Sequence, residues 1–571
     1  MRAKFVLALS ILSSGLSSLS PLYGVTPPPA SNAGIIDKEI QDQYEVNIFS
    51  PTKDIPVLDV DIPFQKFDLP EGISVQINTF IFQGNTIFSD QQLQNIAADY
   101  VGKDLKSSDV KEICYRIQKL YAEHGYILSR AYTPVQEIAG GTLTIEVIEG
   151  VLGSIEVEGN RYYSTKFIKK YFSSQIGDVV DYNRLLRSLM LINEHMDLNV
   201  GAIFKKGKNK GEADLIIVAK DKLPLHIATD YNTYGSYLTT KGRAGLRVDG
   251  GNIALGGDKL SLMEVMGFPF DHLDFSNAIY SVPLTANGLR MDLSYLYSGF
   301  KVNTLNALHL KGSSNIAGIR FYQAMHRTRR LSTDVGIGFD YKDLLNQQMS
   351  KTFSYDKLRV LTFSGRLDYA DSYKGRLISD FNLFIGIPNF LGGLSAVDHL
   401  CSRKGAGGRF FIANLDVRRL QQLPWDCLLV FSATAQGTLN KIPIAQQIYI
   451  GGIDNVRGYP LATALGDNGY YGTLELRAPI PYVANYTLPF SKTRKWKDLF
   501  QFVFFTDTGA IFLNGHVQKE QAPSFITSAG LGFRITNLWR FDISYDSGFA
   551  LTKDHKSSDS IQYLRVALRI L

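Results

Sequence analysis

From about Leu223 to the C-terminus, apolar and polar residues alternate with period two. In 289–297, Leu289, Met291, Leu293, Tyr295 and Tyr297 are apolar, with Arg290, Asp292 and Ser294 between them. Segments 331–341 (Leu331, Val335, Ile337, Phe339, Tyr341), 361–369 (Leu361, Phe363, Leu367, Tyr369) and 541–546 (Phe541, Ile543, Tyr545) repeat the pattern. This alternation predicts strands with one apolar and one polar face. The polar face carries charges of both signs, as a polar lumen does, which favours a membrane barrel over a soluble sandwich. Connections alternate too: 285–287 and 371–374 are short, whereas 342–357, 387–407 and 439–468 are longer. Short periplasmic turns and longer outer loops produce that rhythm. We count roughly sixteen strands, and an even number is expected of such a barrel. One connection, 481–498, is long where a short turn is expected.

The segment before the strands contains a repeat. Phe82-Gln83-Gly84-Asn85 recurs 75 positions on as Val157-Glu158-Gly159-Asn160, and Gly102-Lys103-Asp104-Leu105 recurs as Gly177-Asp178-Val179-Val180. Each copy reads strand, Gly-Asn turn, helix, glycine, second helix and two strands. In the first copy the second helix is predicted over 108–124, with Val110, Ile113, Ile117, Leu120 and Tyr121 on one stripe. Leu143, Ile145 and Val147 close the first copy, and Leu215 to Val218 close the second. Units of about 75 residues suffice for small α+β domains.

At the N-terminus, Arg2 and Lys4 precede an apolar run from Phe5 to Leu12 and a small-residue stretch. That is the arrangement of a secretory signal, with cleavage expected after Gly24. No other uncharged apolar run is long enough for a membrane helix, so a membrane-embedded product has to be a barrel. Residues 25–72 are rich in proline and charge and read as a linker with a short helix around 35–44. The expected layout is a signal peptide (1–24), this linker (25–72), two repeat domains (73–149 and 150–222) and a barrel (223–571).

Composition changes the picture little. The net charge of +6 is spread along the chain with no basic block, so nucleic acid is not an expected partner. Cys114, Cys401 and Cys427 are far apart and read as isolated thiols, with neither metal-ligand spacing nor a disulfide framework. No catalytic set, phosphate loop or nucleotide fingerprint is visible. The expectation is a protein without enzymatic activity, metal or cofactor.

Between the eleventh and twelfth expected strands lies Tyr449-Ile450-Gly451-Gly452-Ile453-Asp454-Asn455-Val456-Arg457-Gly458-Tyr459. Downstream, Phe505-Thr506-Asp507-Thr508-Gly509 lies on a strand whose parity puts Phe500, Phe502 and Phe504 toward lipid and Asp507 toward the lumen. Glu475 and Arg477 also take the lumen parity. An arginine fork on a long loop can fold inward and pair with a carboxylate through two hydrogen bonds.

Val456-Arg457-Gly458-Tyr459 resembles the loop-six signature of the outer-membrane insertase and two-partner-secretion superfamily, and 505–509 resembles the partner-strand motif of that family. The resemblance implies that Arg457 locks loop six inside the barrel against Asp507, with Gly509 on the partner strand and Glu475 and Arg477 as lumen support. The repeats resemble POTRA domains, polypeptide-transport-associated modules. Two of them before such a barrel fit the two-partner-secretion transporter of the haemolysin-activator type. The fold class implied is a membrane all-β protein, an about 16-stranded transmembrane β-barrel preceded by two small α+β POTRA domains.

The function implied is capture of an unfolded exoprotein client in the periplasm and its passage through the barrel. The implied surroundings are outer-membrane lipid and, during biogenesis, the barrel-assembly machinery. The alternative is an insertase of the same superfamily, and a third class is a plain pore or adhesin. Two departures stand out. The segment matching the family's plug helix, 35–44, is short, and the terminal Leu571 falls out of the lipid-face register of Leu564, Val566, Leu568 and Ile570.

Overall fold

The computed structural model describes residues 29–45, 58–61 and 74–571, apart from 139, 269, 271, 303–308, 492, 516–523 and 553–559. The expected signal segment, 1–24, lies outside the described residues.

Each repeat is a small α+β unit. In the first, β3 (Thr79–Gln83), α2 (Asp90–Ala97), α3 (Ser107–Glu123), β5 (Arg130–Tyr132) and β6 (Thr142–Ile148) follow one another, with β6 central, parallel to β3 and antiparallel to β5. A two-stranded sheet of β2 (Ser74–Ile77) and β4 (Lys103–Lys106) flanks it. The second contains β7 (Val151–Glu158), α4 (Thr165–Lys170), α5 (Tyr182–Ile192), β8 (Leu198–Lys206) and β9 (Glu212–Asp221), with β9 central. Both Gly-Asn turns have one design. Gly84 and Gly159 share φ +82°, and an added Cβ would strike the carbonyl of Val147 or Ala219. A carboxylate near the end of each unit then binds the turn. Glu149 accepts from the N–H groups of Thr86 (2.8 Å) and Ile87 (2.9 Å), and Asp221 from those of Arg161, Tyr162 and Tyr163 (2.6–3.0 Å).

Sixteen strands among the described residues close into one antiparallel barrel. They are β10 (Leu225–Asn232), β11 (Gly242–Gly251), β12 (Lys259–Phe268), β13 (Leu273–Pro283), β14 (Leu289–Lys301) and β15 (Lys311–Arg327). Next come β16 (Leu331–Gln348), β17 (Lys351–Ala370), β18 (Gly375–Gly386), β19 (Phe410–Gln422) and β20 (Leu428–Gly437). After a long connection containing β21 (Ile448–Ile450) and β22 (Ala464–Gly466), the barrel resumes with β23 (Asn468–Pro479) and β24 (Phe500–Phe512). It ends with β25 (Ser524–Leu538), β26 (Phe541–Ala550) and β27 (Ser560–Arg569), which closes on β10. Val335, Ile337, Phe363, Phe502 and Phe504 are exposed on the outside, whereas Val503, Phe505 and Asp507 are buried on the inside. That alternation is what a lipid outside and a filled lumen require.

Two expectations are corrected. The connection expected over 342–357 is strand almost throughout: β16 and β17 run to 348 and from 351, joined at Met349 and Ser350 with φ 51° and 63°. A two-residue turn with both φ positive matches the twist of the flanking strands. Strands of 18 and 20 residues exceed the roughly 9–11 that span a bilayer, so this hairpin projects beyond it. The linker is also not wholly unpaired, because β1 (Leu58–Asp61) adds to the β8 edge in parallel. The short helix expected around 35–44 is present as α1 (Ala33–Glu45), and it lies inside the barrel.

The helix α1 fills the lumen near the outer strand ends. Ile35, Ile36 and Ile40 pack with Phe300, Leu344 and Leu358 of the wall and with Leu394, Ile442 and Tyr449 of inward-folded loops. Its polar face bonds to the barrel wall. Glu39 takes two bonds from Arg243 (2.8 and 2.9 Å), Asp37 accepts from Ser298, and Asn346 caps the N–H of Ala33 at 3.1 Å. Glu39 and Arg243 are fully buried.

Candidate functional site

The chain from β20 to β23 turns back into the lumen. Its arms pair as the β21–β22 hairpin, which packs on the inner face of β24. Between the arms the backbone turns sharply at Gly451 and Gly452, with φ +101° and +116°. The buried Asn455 holds this bend, its Oδ1 accepting from the N–H of Gly451 at 2.6 Å and of Val456 at 2.7 Å.

Arg457 follows. Its Nε and Nη2 donate to the two oxygens of Asp507, each at 2.9 Å, and its backbone N–H reaches Asp507 at 3.0 Å. Nη1 donates to Glu475 at 3.0 Å and lies 3.8 Å from Asp546. The guanidinium stacks 3.3 Å over the centre of the Phe505 ring. Asp507 and Phe505 come from β24, Glu475 from β23 and Asp546 from β26, all on the lumen parity. Two further arginines complete the set. Arg477 donates to Glu475 at 2.7 Å, and Arg534 holds Asp546 through two bonds of 2.8 and 2.9 Å. Three cations thus meet three carboxylates, so no net charge is buried. An arrangement of this kind is held by mutual pairing, and removing one member leaves its partners desolvated and unmatched.

The neighbouring motif residues seat the loop sterically. Val456 is buried among Ile450, Ile511 and Ile526. Gly509 makes room for it, because a Cβ there would come within 2.9 Å of Ile450 and 3.1 Å of Val456. Gly458 has φ +89° and lies against the backbone of Gly548, where a Cβ would come within 2.8 Å of the carbonyl carbon. Tyr459 is buried, its hydroxyl 2.9 Å from the Thr527 carbonyl and accepting from the Thr552 N–H at 2.9 Å.

The structure therefore brings Val456, Arg457, Gly458, Tyr459, Asp507, Gly509, Glu475 and Arg477 into one cluster. Sequence reasoning placed Phe505 in the partner-strand motif without a role, and it missed Asp546, Arg534 and Tyr563, whose hydroxyl accepts from the Gly458 N–H at 3.2 Å. The lumen parity of Asp546 was visible in 541–546, but its place opposite Arg457 depends on strand register. Among the described residues no group of three or more His, Cys, Asp or Glu is arranged to hold a metal ion. The arrangement joins the inward-folded loop to β23, β24 and β26 through buried, paired charges.

Comparisons with known proteins agree with this architecture. The model of the haemolysin secretion/activation proteins ShlB/FhaC/HecB matches residues 211–535, and that of the ShlB-type POTRA domain matches residues 75–150. The heme/hemopexin transporter protein HuxB of Haemophilus influenzae is 22% identical over 497 residues, covering 84% of this chain and 85% of that protein. The outer membrane transporter CdiB-2 of Burkholderia pseudomallei is 24% identical over 407 residues, covering 67% of this chain and 66% of that protein. The solved structure of CdiB from Escherichia coli superposes with a TM-score of 0.76 at 18% identity, covering 94% of this chain and 98% of that one. BamA from Haemophilus ducreyi lacking POTRA domains 1–3 gives 0.51 at 14% identity, covering 87% and 100%. With its family model spanning more than half of the chain, this protein belongs to the haemolysin secretion/activation family, outer-membrane β-barrel transporters of two-partner secretion that export exoproteins and keep their POTRA domains in the periplasm.

Proposed function

We propose that residues 73–149 and 150–222 capture one unfolded exoprotein and that the barrel, 223–571, passes it outward while the Arg457–Asp507 clasp holds loop six in the lumen. The observation that carries this is the clasp itself: a buried fork-on-carboxylate contact fixes a long loop inside a pore that α1 also occupies. A passive pore has no use for such a fixture. Capture is by strand addition, in which backbone hydrogen bonds accept many client sequences. Supporting it, the β8 edge already hydrogen-bonds an extended segment, β1, in parallel. The cycle involves no catalytic step and no cofactor. Outer-membrane lipid surrounds the apolar belt, and the barrel-assembly machinery inserts the chain.

The insertase alternative draws on the likeness to BamA, but two POTRA units and the family match favour transport. Comparing extracellular and outer-membrane proteins in native and gene-deleted cells separates the two. Transport predicts the disappearance of one large exoprotein from outside the cell with other outer-membrane proteins unchanged. A broad fall of outer-membrane proteins would instead favour the insertase, and no change in either would overturn both.

A further inference from the structure

The lipid-facing wall of the barrel carries a polar hollow at the outer ends of β13 to β16. β10 leaves the periplasmic domains, so β14 runs outward and its connection to β15 lies on the exterior side. The exposed Leu293, Tyr295 and Tyr297 mark the lipid face of β14, and Gly299 and Lys301 continue it by parity to the strand end. Register sets Asp274 of β13 opposite Gly299, and Ser313 and Lys311 of β15 opposite Gly299 and Lys301. With His272 and Gln347, these residues line a cavity of about 240 Å³. The alternate side chains Phe300 and Leu344 point the other way and pack with α1 in the lumen. The hollow therefore opens to the membrane and not to the pore.

Its floor is kept open by a glycine. A Cβ on Gly299 would lie 3.2 Å from the Tyr297 hydroxyl, so a larger side chain would fill the space. Its charge is unbalanced at one point. Lys301 and Lys311 stand directly opposite each other across the strand pair, where like charges are destabilising. Among the described residues neither ammonium has a carboxylate within ion-pair distance. Both lie on the lipid face, where an unmatched cation is costly away from the head groups. An anion seated between them removes the repulsion and supplies charge-assisted hydrogen bonds.

The surroundings narrow the chemistry of that anion. Asp274 is exposed at the other side of the hollow and offers an acceptor, which a bare phosphate cannot use but a hydroxyl or amide N–H can. Toward the periplasm the same face continues as exposed apolar side chains, Leu293, Phe321 and Ile337, a track for acyl chains. Phosphate, sugar hydroxyls, amides and acyl chains occur together in the glycolipid of the outward leaflet.

We propose that this hollow binds the phosphorylated, N-acylated sugar head of an outer-leaflet glycolipid of the lipid A type. Lys301 and Lys311 share a phosphate, Asp274 accepts from a sugar hydroxyl or amide, and the acyl chains lie along β14 to β16.

Native mass spectrometry of the full chain in detergent tests this, with bisphosphorylated lipid A as the probe and folding checked by heat-dependent gel shift. The expected result is a single retained glycolipid per barrel, and binding weaker by roughly tenfold or more both for the double variant Lys301→Gln, Lys311→Gln and for Gly299→Val. Dephosphorylated lipid A should bind the wild-type chain as weakly as lipid A binds the glutamine variant. Unchanged retention by the folded glutamine and valine variants would overturn the site and leave only unspecific boundary lipid. Equal competition by phosphatidylglycerol or by inorganic phosphate would overturn it as well, since the hollow would then be a general anion patch. If the variants do not fold, the competition series on the wild-type chain decides.

Discussion

Tyr449, on the first arm of the inward-folded loop, donates its hydroxyl to Asp42 of the plug helix α1 across 3.2 Å. The two bodies that obstruct the lumen are thereby joined, and the plug is held to the wall separately by Glu39 on Arg243. Removing one partner of a buried ion pair costs roughly 3–5 kcal/mol, whereas one hydrogen bond to a charged group contributes about 1.5–3 kcal/mol. Glu39→Ala should therefore unseat α1 more often than Tyr449→Phe, and both more often than wild type. Single-channel recording in planar bilayers checks this as the fraction of time spent in high conductance. Equal traces for all three proteins would show that these contacts do not hold the plug.

Gly458→Ala places a methyl group against the Gly548 backbone at a residue with φ +89°. Strain of this sort costs on the order of 1–3 kcal/mol, and the clash adds to it. We expect loop six to leave its seat while the barrel still closes, measured as new protease cleavage within 449–467 on the folded variant.

The POTRA turns carry an acid sensitivity whose sign follows from Glu149. Burial alone would raise its pKa, but the hydroxyls of Thr86 and Tyr121 and the N–H groups of Ile87 and Thr86 together outweigh that and hold it below the ordinary glutamate value. A depressed folded-state pKa stabilises the fold above the unfolded value of about 4.3 and is lost as pH falls through the folded value. Hydrogen exchange at Thr86 and Ile87 should stay slow at neutral pH and accelerate, beyond the intrinsic rate change, only below that range. Glu149→Gln should be fast throughout.

Period-two alternation made the barrel and its approximate strand number legible, because lipid outside and a polar lumen inside impose opposite demands on successive residues. The Gly-Asn repeat was legible for a similar reason, since Gly84 and Gly159 occupy a backbone region that favours glycine. The seating of α1 was not. Asp37, Glu39 and Asp42 make it look like a solvated helix, and their partners, Ser298, Arg243 and Tyr449, lie more than 200 positions away. In the clasp, Arg457 and Asp507 stood out by motif and parity. The roles of Arg534 and Asp546 depend on β25–β26 register, which sets Gly532 opposite Asp546 and Arg534 one pair along the same face.

The seam between β10 and β27 offers a discriminating test. Five residue pairs span it, from Ala228 with Arg569 to Asn232 with Arg565. A disulfide between Ala228→Cys and Arg569→Cys would lock it shut. Transport through the lumen predicts that oxidation leaves exoprotein export unchanged. A lateral-opening insertase predicts a large loss on oxidation that is restored by reductant.

The most direct measurement is export of the client by Arg457→Ala in gene-deleted cells, with wild type and Arg457→Lys alongside and barrel folding verified for each. Arg457→Ala leaves Asp507 and Glu475 buried without their fork, and lysine replaces the charge but not the paired bonds. The account predicts wild-type export for the native chain, a loss of roughly tenfold or more for alanine, corresponding to a transport-competent state at least about 1.4 kcal/mol less accessible, and an intermediate value for lysine, with other outer-membrane proteins unchanged. Undiminished export by a correctly folded Arg457→Ala barrel would contradict it.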